Sequence, residues 1–306
     1  MTYYIKQYAI KKSFLDIPND RSSHTTATPR GGGLAIIIVF YIGLVYFKNE
    51  LTTELFYALW CSLPIVIISL VDDIISVSSK IRLFIQSVSS VLALYFLGGV
   101  SSIDFLLFSI SGLWVNIFAF IVIIWLTNLY NFLDGIDGYA GATSVTIGMG
   151  MFMFFNSSIG LVIVVTSLGF LIFNFPFKDK ASIFMGDVGS ATLGFIFAIF
   201  AFSDNANGNI YIWLTLLSLF FFDATITIIR RYKNGESITT AHKKHAYQRL
   251  NQSGWSHKKI VSYAFIFNIL FLGLIYLIDN LIYVTLVNII LVYLINNYVD
   301  NKKAFV

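Results

Sequence analysis

Residues 112–141 read GLWVNIFAFIVIIWLTNLYNFLDGIDGYAG, and this stretch decides the fold class. From Leu113 to Tyr130 the side chains are apolar around almost the whole helical circumference, whereas a helix on a soluble protein keeps one polar face. The length suits the hydrocarbon layer of a bilayer. The run then meets Asn128, Asn131, Asp134 and Asp137, interleaved with Gly135, Gly138 and Gly141. An apolar span that stops in a polar, glycine-rich rim is the pattern to look for elsewhere in the chain.

The apolar half of that pattern recurs near 33–47, 55–71, 83–99, 139–155, 159–175, 188–202, 210–229, 260–278 and 281–296. The expected fold is therefore all-α, a polytopic transmembrane helix bundle of about ten spans forming one domain over 1–306. No internal repeat and no linker to a soluble domain is visible. Charged residues make up 12% of the chain, against about a quarter in soluble domains. Cys61, the single cysteine, can form neither an intrachain disulfide nor a thiolate metal site and is expected to be a small buried hydrophobe. Residues 1–32 carry no cleavable signal pattern, because Lys6, Lys11 and Lys12 interrupt the apolar residues. They read as an interfacial, cytoplasmic segment with aromatic and basic anchors.

Alternating the spans sorts the loops into two sets. One set comprises 1–32, 72–82, 131–138, 176–187, 230–259 and 297–306, and it holds 19 of the 20 Lys and Arg residues; the other holds only Lys48. Positive charge resists translocation, so the first set is expected on the cytoplasmic side of the membrane. Asp72, Asp73, Asp134, Asp137, Asp187 and Asp223 fall at the same ends of the spans. One such carboxylate is an ordinary interfacial stop signal. Six on one face point to a polar cavity.

Four clusters carry the chemistry. In VDDIISVSSKIRLFIQ (71–86), adjacent Asp72 and Asp73 repel and call for a cation or a shared proton. Lys80 and Arg82 could offset that charge, grip phosphate, or serve only as topology anchors. In the second cluster, Asn131 and Asp134 share a helical face, and hard oxygen ligands of this kind suit Mg²⁺, with Mn²⁺ as an alternative. A glycine-rich helix cap is the blander reading. The third, FMGDVGS (184–190), opens a span with free N–H groups that favour phosphate, although Asp187 could act only as a cap. The fourth is the basic loop 230–259, with Arg230, Arg231, His242, Lys243, Lys244, His245 and Arg249. It suits a diphosphate or an anionic lipid surface. Asp223 is expected to pair with Arg230 or Arg231, and His257 to be a surface residue. Arg21, His24 and the TPRGGG run with Arg30 (28–33) are either an ordered turn or a lining strip for the same pocket.

Taken in order, RSSHTTATPRGGG, VDDIISVSSKIRLFIQ, NLYNFLDGIDGYAG, FNFP with IFMGDVGS, and FFDATITIIRR with AHKKHAYQRL resemble the polyprenyl-phosphate N-acetylhexosamine-1-phosphate transferases. The resemblance implies that Asp72 and Asp73 match paired aspartates beside the attacking lipid phosphate. It implies that Asn128, Asn131 and Asp134 match an active-site motif, Asp137 a nucleoside position, and Asp187 a magnesium ligand. His245 looks like the first histidine of the basic-loop motif. Two departures stand out. Tyr247 and Gln248 occupy positions where the family often has further histidines. The family's usual span ahead of DIPNDRSSH is also not found, so the chain is expected either to start at an internal Met or to use an interfacial helix there.

By that resemblance the catalytic residues are Asp72, Asp73, Asp134 and His245. Asn128, Asn131, Asp137, Lys80, Arg82, Arg30 and Arg231 bind substrates, and Asp187 holds the metal. The implied reaction moves an N-acetylhexosamine-1-phosphate from a UDP-sugar to undecaprenyl or another polyprenyl phosphate, releasing UMP, at the start of a cell-surface polysaccharide. The AHKKHAYQRL form is similar to the branch that begins O-antigen or capsule units. Membrane lipid is a partner, nucleic acid is not, and a homodimer is left open. A secondary transporter is the alternative, but transporters place ionisable groups near the midplane between repeats. A CDP-alcohol phosphatidyltransferase would need Ala-Arg soon after its first Asp-Gly, and Asp137-Gly138 is followed by Tyr-Ala-Gly-Ala-Thr. A scaffold would need no acidic rim.

Overall fold

A computed structural model describes residues 1–18, 26–177, 180–203, 210–237 and 242–305. Arg21 and His24 lie outside the described residues. The chain is mostly helical. It starts with α1 (Thr2–Lys11), followed by β1 (Leu15–Asp16) and β2 (Thr28–Pro29), which pair antiparallel. Next come α2 (Gly33–Tyr46), α3 (Thr53–Trp60), α4 (Leu63–Ile75) and α5 (Ser79–Phe96). An antiparallel ribbon, β3 (Ser102–Asp104) with β4 (Ser109–Ser111), leads into α6 (Gly112–Leu133). After it run α7 (Tyr139–Phe155), α8 (Ser158–Asn174), α9 (Asp187–Phe202), α10 (Ile210–Leu216), α11 (Ser218–Lys233), α12 (Ala246–Gln252), α13 (His257–Leu277) and α14 (Leu281–Lys302).

The all-α expectation needs one correction, since the two short ribbons were not foreseen. Both lie in connections ahead of apolar helices, where two or three paired residues satisfy backbone groups that no helix covers. The basic stretch 230–259 is also not one loop: it contains the end of α11, all of α12 and the start of α13.

Each of the ten apolar segments read from the sequence coincides with a helix or a pair of helices. Among the described residues, four spans are long and apolar enough to cross a membrane: Thr53–Ile75, Gly112–Leu133, His257–Leu277 and Leu281–Lys302. The pair α10 and α11, bent by 75° at its break, is either a broken span or a re-entrant loop. The helices α2, α7, α8 and α9 are apolar but shorter. At 1.5 Å per residue, 14 to 17 residues reach only about 21–26 Å, less than the roughly 30 Å of bilayer hydrocarbon.

Helix α9 forms the axis of the molecule. Nearly all of its residues are buried, and it packs against α2, α3, α4, α6 and α7. Glycine permits this closeness. A Cβ on Gly194 would stand 2.6 Å from the Leu126 carbonyl oxygen of α6, and one on Gly33 would stand 2.4 Å from the Gly189 Cα. A second hydrophobic cluster joins α10, α13 and α14 through Ile212, Leu216, Phe271, Leu272, Ile275 and Val284.

Polar helix ends meet at one end of this bundle. Arg82 near the start of α5 bonds Asp72 near the end of α4 and Asp187 at the start of α9. The Gly138 amide before α7 donates to Asn174 at the end of α8, and His257 at the start of α13 contacts Asp137. Successive helices therefore arrive at and leave this end in alternation.

Candidate active site

The site is built around a single guanidinium. Arg82 Nη1 donates to Asp72 Oδ2 at 2.9 Å and to Asp187 Oδ2 at 2.7 Å. Asn131 Nδ2 reaches the same Asp187 oxygen at 3.2 Å, and Ser190 Oγ donates to Asn131 Oδ1 at 2.6 Å. Asn131 stands one turn before the end of α6 and Ser190 one turn inside α9, so close packing of these two helices aligns both with Asp187. Asp134 Oδ2 accepts from the Gly186 amide at 3.1 Å. The backbone at Gly186 has φ +75°, a conformation L side chains rarely adopt, and a Cβ there would lie 2.9 Å from Asp73 Oδ2.

The N-terminal arm closes the rim. The Phe184 amide donates to the Pro29 carbonyl at 2.8 Å, and the Gly32 and Gly33 amides donate to Phe184 and Met185 at 2.8 and 2.9 Å. This extended contact lays Arg30 beside α4, where its guanidinium donates to the Asp73 backbone carbonyl. The lining-strip reading of TPRGGG is thus the one the geometry favours.

Two further candidates sit in the same wall. Asn128 Nδ2 donates to Gln86 Oε1 at 2.7 Å, tying α6 to α5. Asp137 is buried, with its Oδ2 accepting from the Ala181 amide at 2.9 Å and lying 3.3 Å from His257 Nδ1. The remaining candidates are not brought together with these. Lys80 is exposed and makes no ion pair among the described residues. Arg231 is buried and bonded to Glu236 and to the Ser237 carbonyl. His245 is buried under Phe132, Tyr247 and His242, with ring centroids 6.0, 5.8 and 4.8 Å away.

Two sequence expectations need correcting. Asp223 pairs with neither Arg230 nor Arg231; its Oδ1 accepts from the Ala246 amide at 2.7 Å, holding the start of α12. His257 is not a surface residue, because the turn before α7 folds against it. Spacing along one chain gives no sign of either partner.

The donor set matches the hard oxygens a divalent cation such as Mg²⁺ prefers. Asp72 and Asp187 converge on one positive group, and Asp73 Oδ2 is buried without a hydrogen-bond partner. Among the described residues, however, no three carboxylate, imidazole or thiol groups form a ready metal shell. Water and phosphate oxygens would have to complete one.

Comparison with known proteins bears on what such a rim serves. Residues 55–204 match glycosyl transferase family 4. A probable undecaprenyl-phosphate N-acetylglucosaminyl 1-phosphate transferase of Bacillus subtilis is 29% identical, the match covering 89% of this chain and 79% of that protein. An undecaprenyl-phosphate alpha-N-acetylglucosaminyl 1-phosphate transferase of Thermotoga maritima is 27% identical, over 88% and 85%. The decaprenyl-phosphate N-acetylglucosaminephosphotransferase of Mycobacterium tuberculosis is 28% identical, over 85% and 76%. Over residues 55–204 the chain is similar to glycosyl transferase family 4. The stretch that matches the family contains Arg82, Asn128, Asn131 and five of the six span-end carboxylates, Asp72, Asp73, Asp134, Asp137 and Asp187, with Asp223 outside it. Arg30 and the basic 230–259 region lie outside it.

That outer region holds residues that sequence reading missed. Asp300, near the end of α14, accepts from Arg230 at 2.9 Å through each of its oxygens and from Arg249 at 2.5 Å. The Phe305 ring lies 5.3–5.5 Å from the cationic groups of Arg230, Lys244 and Arg249. The last residues therefore clasp the basic segment. Asp300→Ala is expected to cost about 1–3 kcal/mol, the penalty for leaving a largely buried guanidinium short of its acceptor. Faster amide exchange across 242–252 would report it.

His245 yields a pH prediction. Burial, with Arg231 and Arg249 nearby, pushes its imidazole down to about 4. The imidazole is held towards its neutral form and lies packed among Phe132, Tyr247 and His242. The unfolded chain takes up this proton near pH 6.5 and the folded one near 4, so the contribution is intact above about 6.5. It fades as pH falls towards 4, by on the order of 3 kcal/mol. Thermal unfolding between pH 7.5 and 4.5 should show a loss that His245→Gln reduces.

Proposed function

We propose that the protein transfers N-acetylhexosamine-1-phosphate, N-acetylglucosamine-1-phosphate being the first candidate, from a UDP-sugar to polyprenyl phosphate with release of UMP. The observation that carries this reading is the Arg82 guanidinium held between Asp72 and Asp187 at the meeting of α4, α5, α6 and α9, within the stretch that matches the family. The relatives' names supply the acceptor and donor class.

In the proposed reaction a lipid-phosphate oxygen bonds to the sugar-linked phosphorus while the bond from that phosphorus to the bridging oxygen breaks, and UMP leaves with the electron pair. Two anions must approach each other, so positioning and charge neutralisation dominate. Arg82 and Arg30 offset phosphate charge. Asp72, whose Oδ1 accepts from the Val77 amide at 2.5 Å, orients the lipid phosphate or takes its proton; a covalent aspartyl intermediate is the alternative route. Asn131 and Ser190 fix the Asp187 carboxylate. Asp187, with Asp72 and Asn131 beside it, would hold Mg²⁺, and Mn²⁺ could replace it. When bound, the ion supplies charge neutralisation to the diphosphate. Asp137 and Asn128 shape the donor side of the rim.

We place the rim on the cytoplasmic side of a multi-pass membrane protein of ten spans, since almost all Lys and Arg residues belong to the loops on that side. Of the shorter helices, α7 and α9 would then cross as mostly buried elements, while α8 keeps an outward apolar stripe of Leu161, Val165, Leu168 and Ile172. Initiation of an O-antigen or capsule unit is the expected role, and crosslinking in native membranes tests for a homodimer. The function itself is tested by incubating purified protein with undecaprenyl phosphate, Mg²⁺ and a panel of UDP-N-acetyl sugars. UMP release with one donor supports the reading, and no release with any donor would remove it.

A further inference from the structure

A cavity of about 560 Å³ lies between α11, α12, α13 and α14. None of Asp72, Asp73, Arg82, Asn131, Asp134 or Asp187 lines it. Its size is that of a ligand site. Most of the wall is apolar, with Leu250, Ile260, Phe267, Val292 and Val299 contributing. Two buried polar side chains on the wall already have partners. Asn296 Nδ2 donates to the Val292 carbonyl at 3.0 Å, and Asp223 Oδ1 accepts from the Ala246 amide at 2.7 Å. The interior therefore suits a hydrocarbon chain.

The mouth has a different chemistry. Trp255 is half-buried there, and Tyr263, Tyr298 and Lys259 are exposed. The Trp255 ring stands 5.6 Å from Tyr263 and 6.3 Å from Tyr298. Lys259 Nζ sits 3.8 Å over Trp255, and Lys302 Nζ sits 5.5 Å over Tyr298. Tryptophan and tyrosine collect at the boundary between membrane and water, and lysines beside them attract anionic headgroups. Helix α13 begins and α14 ends at this mouth, and each is long and apolar enough to cross a bilayer. The opening therefore lies at headgroup level.

We propose that this cavity binds one tail of an anionic membrane phospholipid, whose headgroup phosphate pairs with Lys259 and Lys302. The acceptor lipid carries the same kinds of group, but its phosphate has to meet the carboxylate rim, which forms no part of this cavity. A bilayer phospholipid fits because its phosphate stays at the mouth. The bound tail would also back Tyr247, a wall residue whose hydroxyl donates to the Phe132 carbonyl at 2.5 Å, just ahead of Asp134.

The test uses the full chain in phosphatidylcholine nanodiscs, titrated with phosphatidylglycerol brominated on its acyl chains. Tryptophan quenching is followed, and the signal of Trp255 is isolated by subtracting a Trp255→Phe variant. A saturable component is expected, favouring brominated phosphatidylglycerol over brominated phosphatidylcholine. Lys259→Gln and Lys302→Gln should each weaken that preference about fivefold, as expected for roughly 1 kcal/mol per lysine near a membrane surface. Ala264→Phe, which fills the cavity, should abolish the saturable component. The lysine variants alter only exposed side chains, so they decide the matter even if Ala264→Phe does not fold. Quenching that is non-saturable and indifferent to headgroup would overturn the proposal. So would displacement of the probe by equimolar undecaprenyl phosphate, which would assign the cavity to the acceptor. The readout needs no turnover, so its failure is distinct from failure of the transferase reading.

Discussion

Asp187→Asn is expected to lower UMP release at least 10²- to 10³-fold while leaving the helices in place. The reason lies in what this carboxylate touches. Its Oδ2 takes Arg82 Nη1 at 2.7 Å and Asn131 Nδ2 at 3.2 Å, so it shares one cation with Asp72 and is aimed by α6. An amide of the same shape keeps one oxygen to accept from Arg82 but loses the charge, and a neutral oxygen is a poor ligand for a hard divalent ion. Losing one preorganised electrostatic group from a catalytic site typically costs about 2.7–4 kcal/mol in the transition state, which is the stated range. The salt bridge itself, about a third exposed on both sides, is worth little to stability, so unfolding in detergent should move only slightly. The measurement is a Mg²⁺ titration of initial rate for both proteins, with Asp187→Glu as a second variant that retains the charge. A variant with native turnover and native Mg²⁺ dependence would take Asp187 out of the mechanism and leave the metal assignment without its anchor.

The apolar segments could be read because lipid-facing helices cannot alternate polar and apolar faces, so Leu113–Tyr130 marks itself in the letters alone. The rim was legible for a related reason: carboxylates at span ends are costly enough to need a purpose, and six at one end point to a shared one. Pairing was not legible. Nothing in the sequence says that Arg82 takes Asp187 over Asp73, that Asp137 meets His257, or that Asp300 crosses to Arg230 and Arg249. These are contacts between helices far apart in sequence, fixed by packing. The bend at Leu217 was also hidden, because α10 and α11 form one continuous apolar run without proline or glycine at the break. His245 illustrates the same gap. Its basic neighbours suggest a phosphate-holding cation, yet burial and the nearby Arg231 and Arg249 favour its neutral form.

Gly189→Val should have the largest effect on stability, and activity should fall with it. A Cβ at this position would stand 2.7 Å from the Gly33 Cα and 2.5 Å from Met185 Cγ, and Gly33 faces the same helix just as closely. Methionine can swing aside; the Gly33 backbone cannot. The Gly32 and Gly33 amides are bonded to Phe184 and Met185, so the start of α2 is tied to the segment that leads into α9. A β-branched side chain must therefore push α2 and α9 apart or break those bonds. Overpacking of this kind costs roughly 1–3 kcal/mol, and more where backbone has to move. The strain would fall two residues from Asp187, and a displacement near 1 Å at a reacting site can cost about 10²-fold in rate. Gly169→Ala is the control, because a Cβ there meets nothing within 4 Å and alanine favours the helix. Thermal unfolding in detergent and UMP release should show Gly189→Val impaired in both and Gly169→Ala in neither. Should Gly189→Val melt and turn over like the parent chain, α2 and α9 would not be in contact at this point, and the arm carrying Arg30 would no longer be placed beside Asp73.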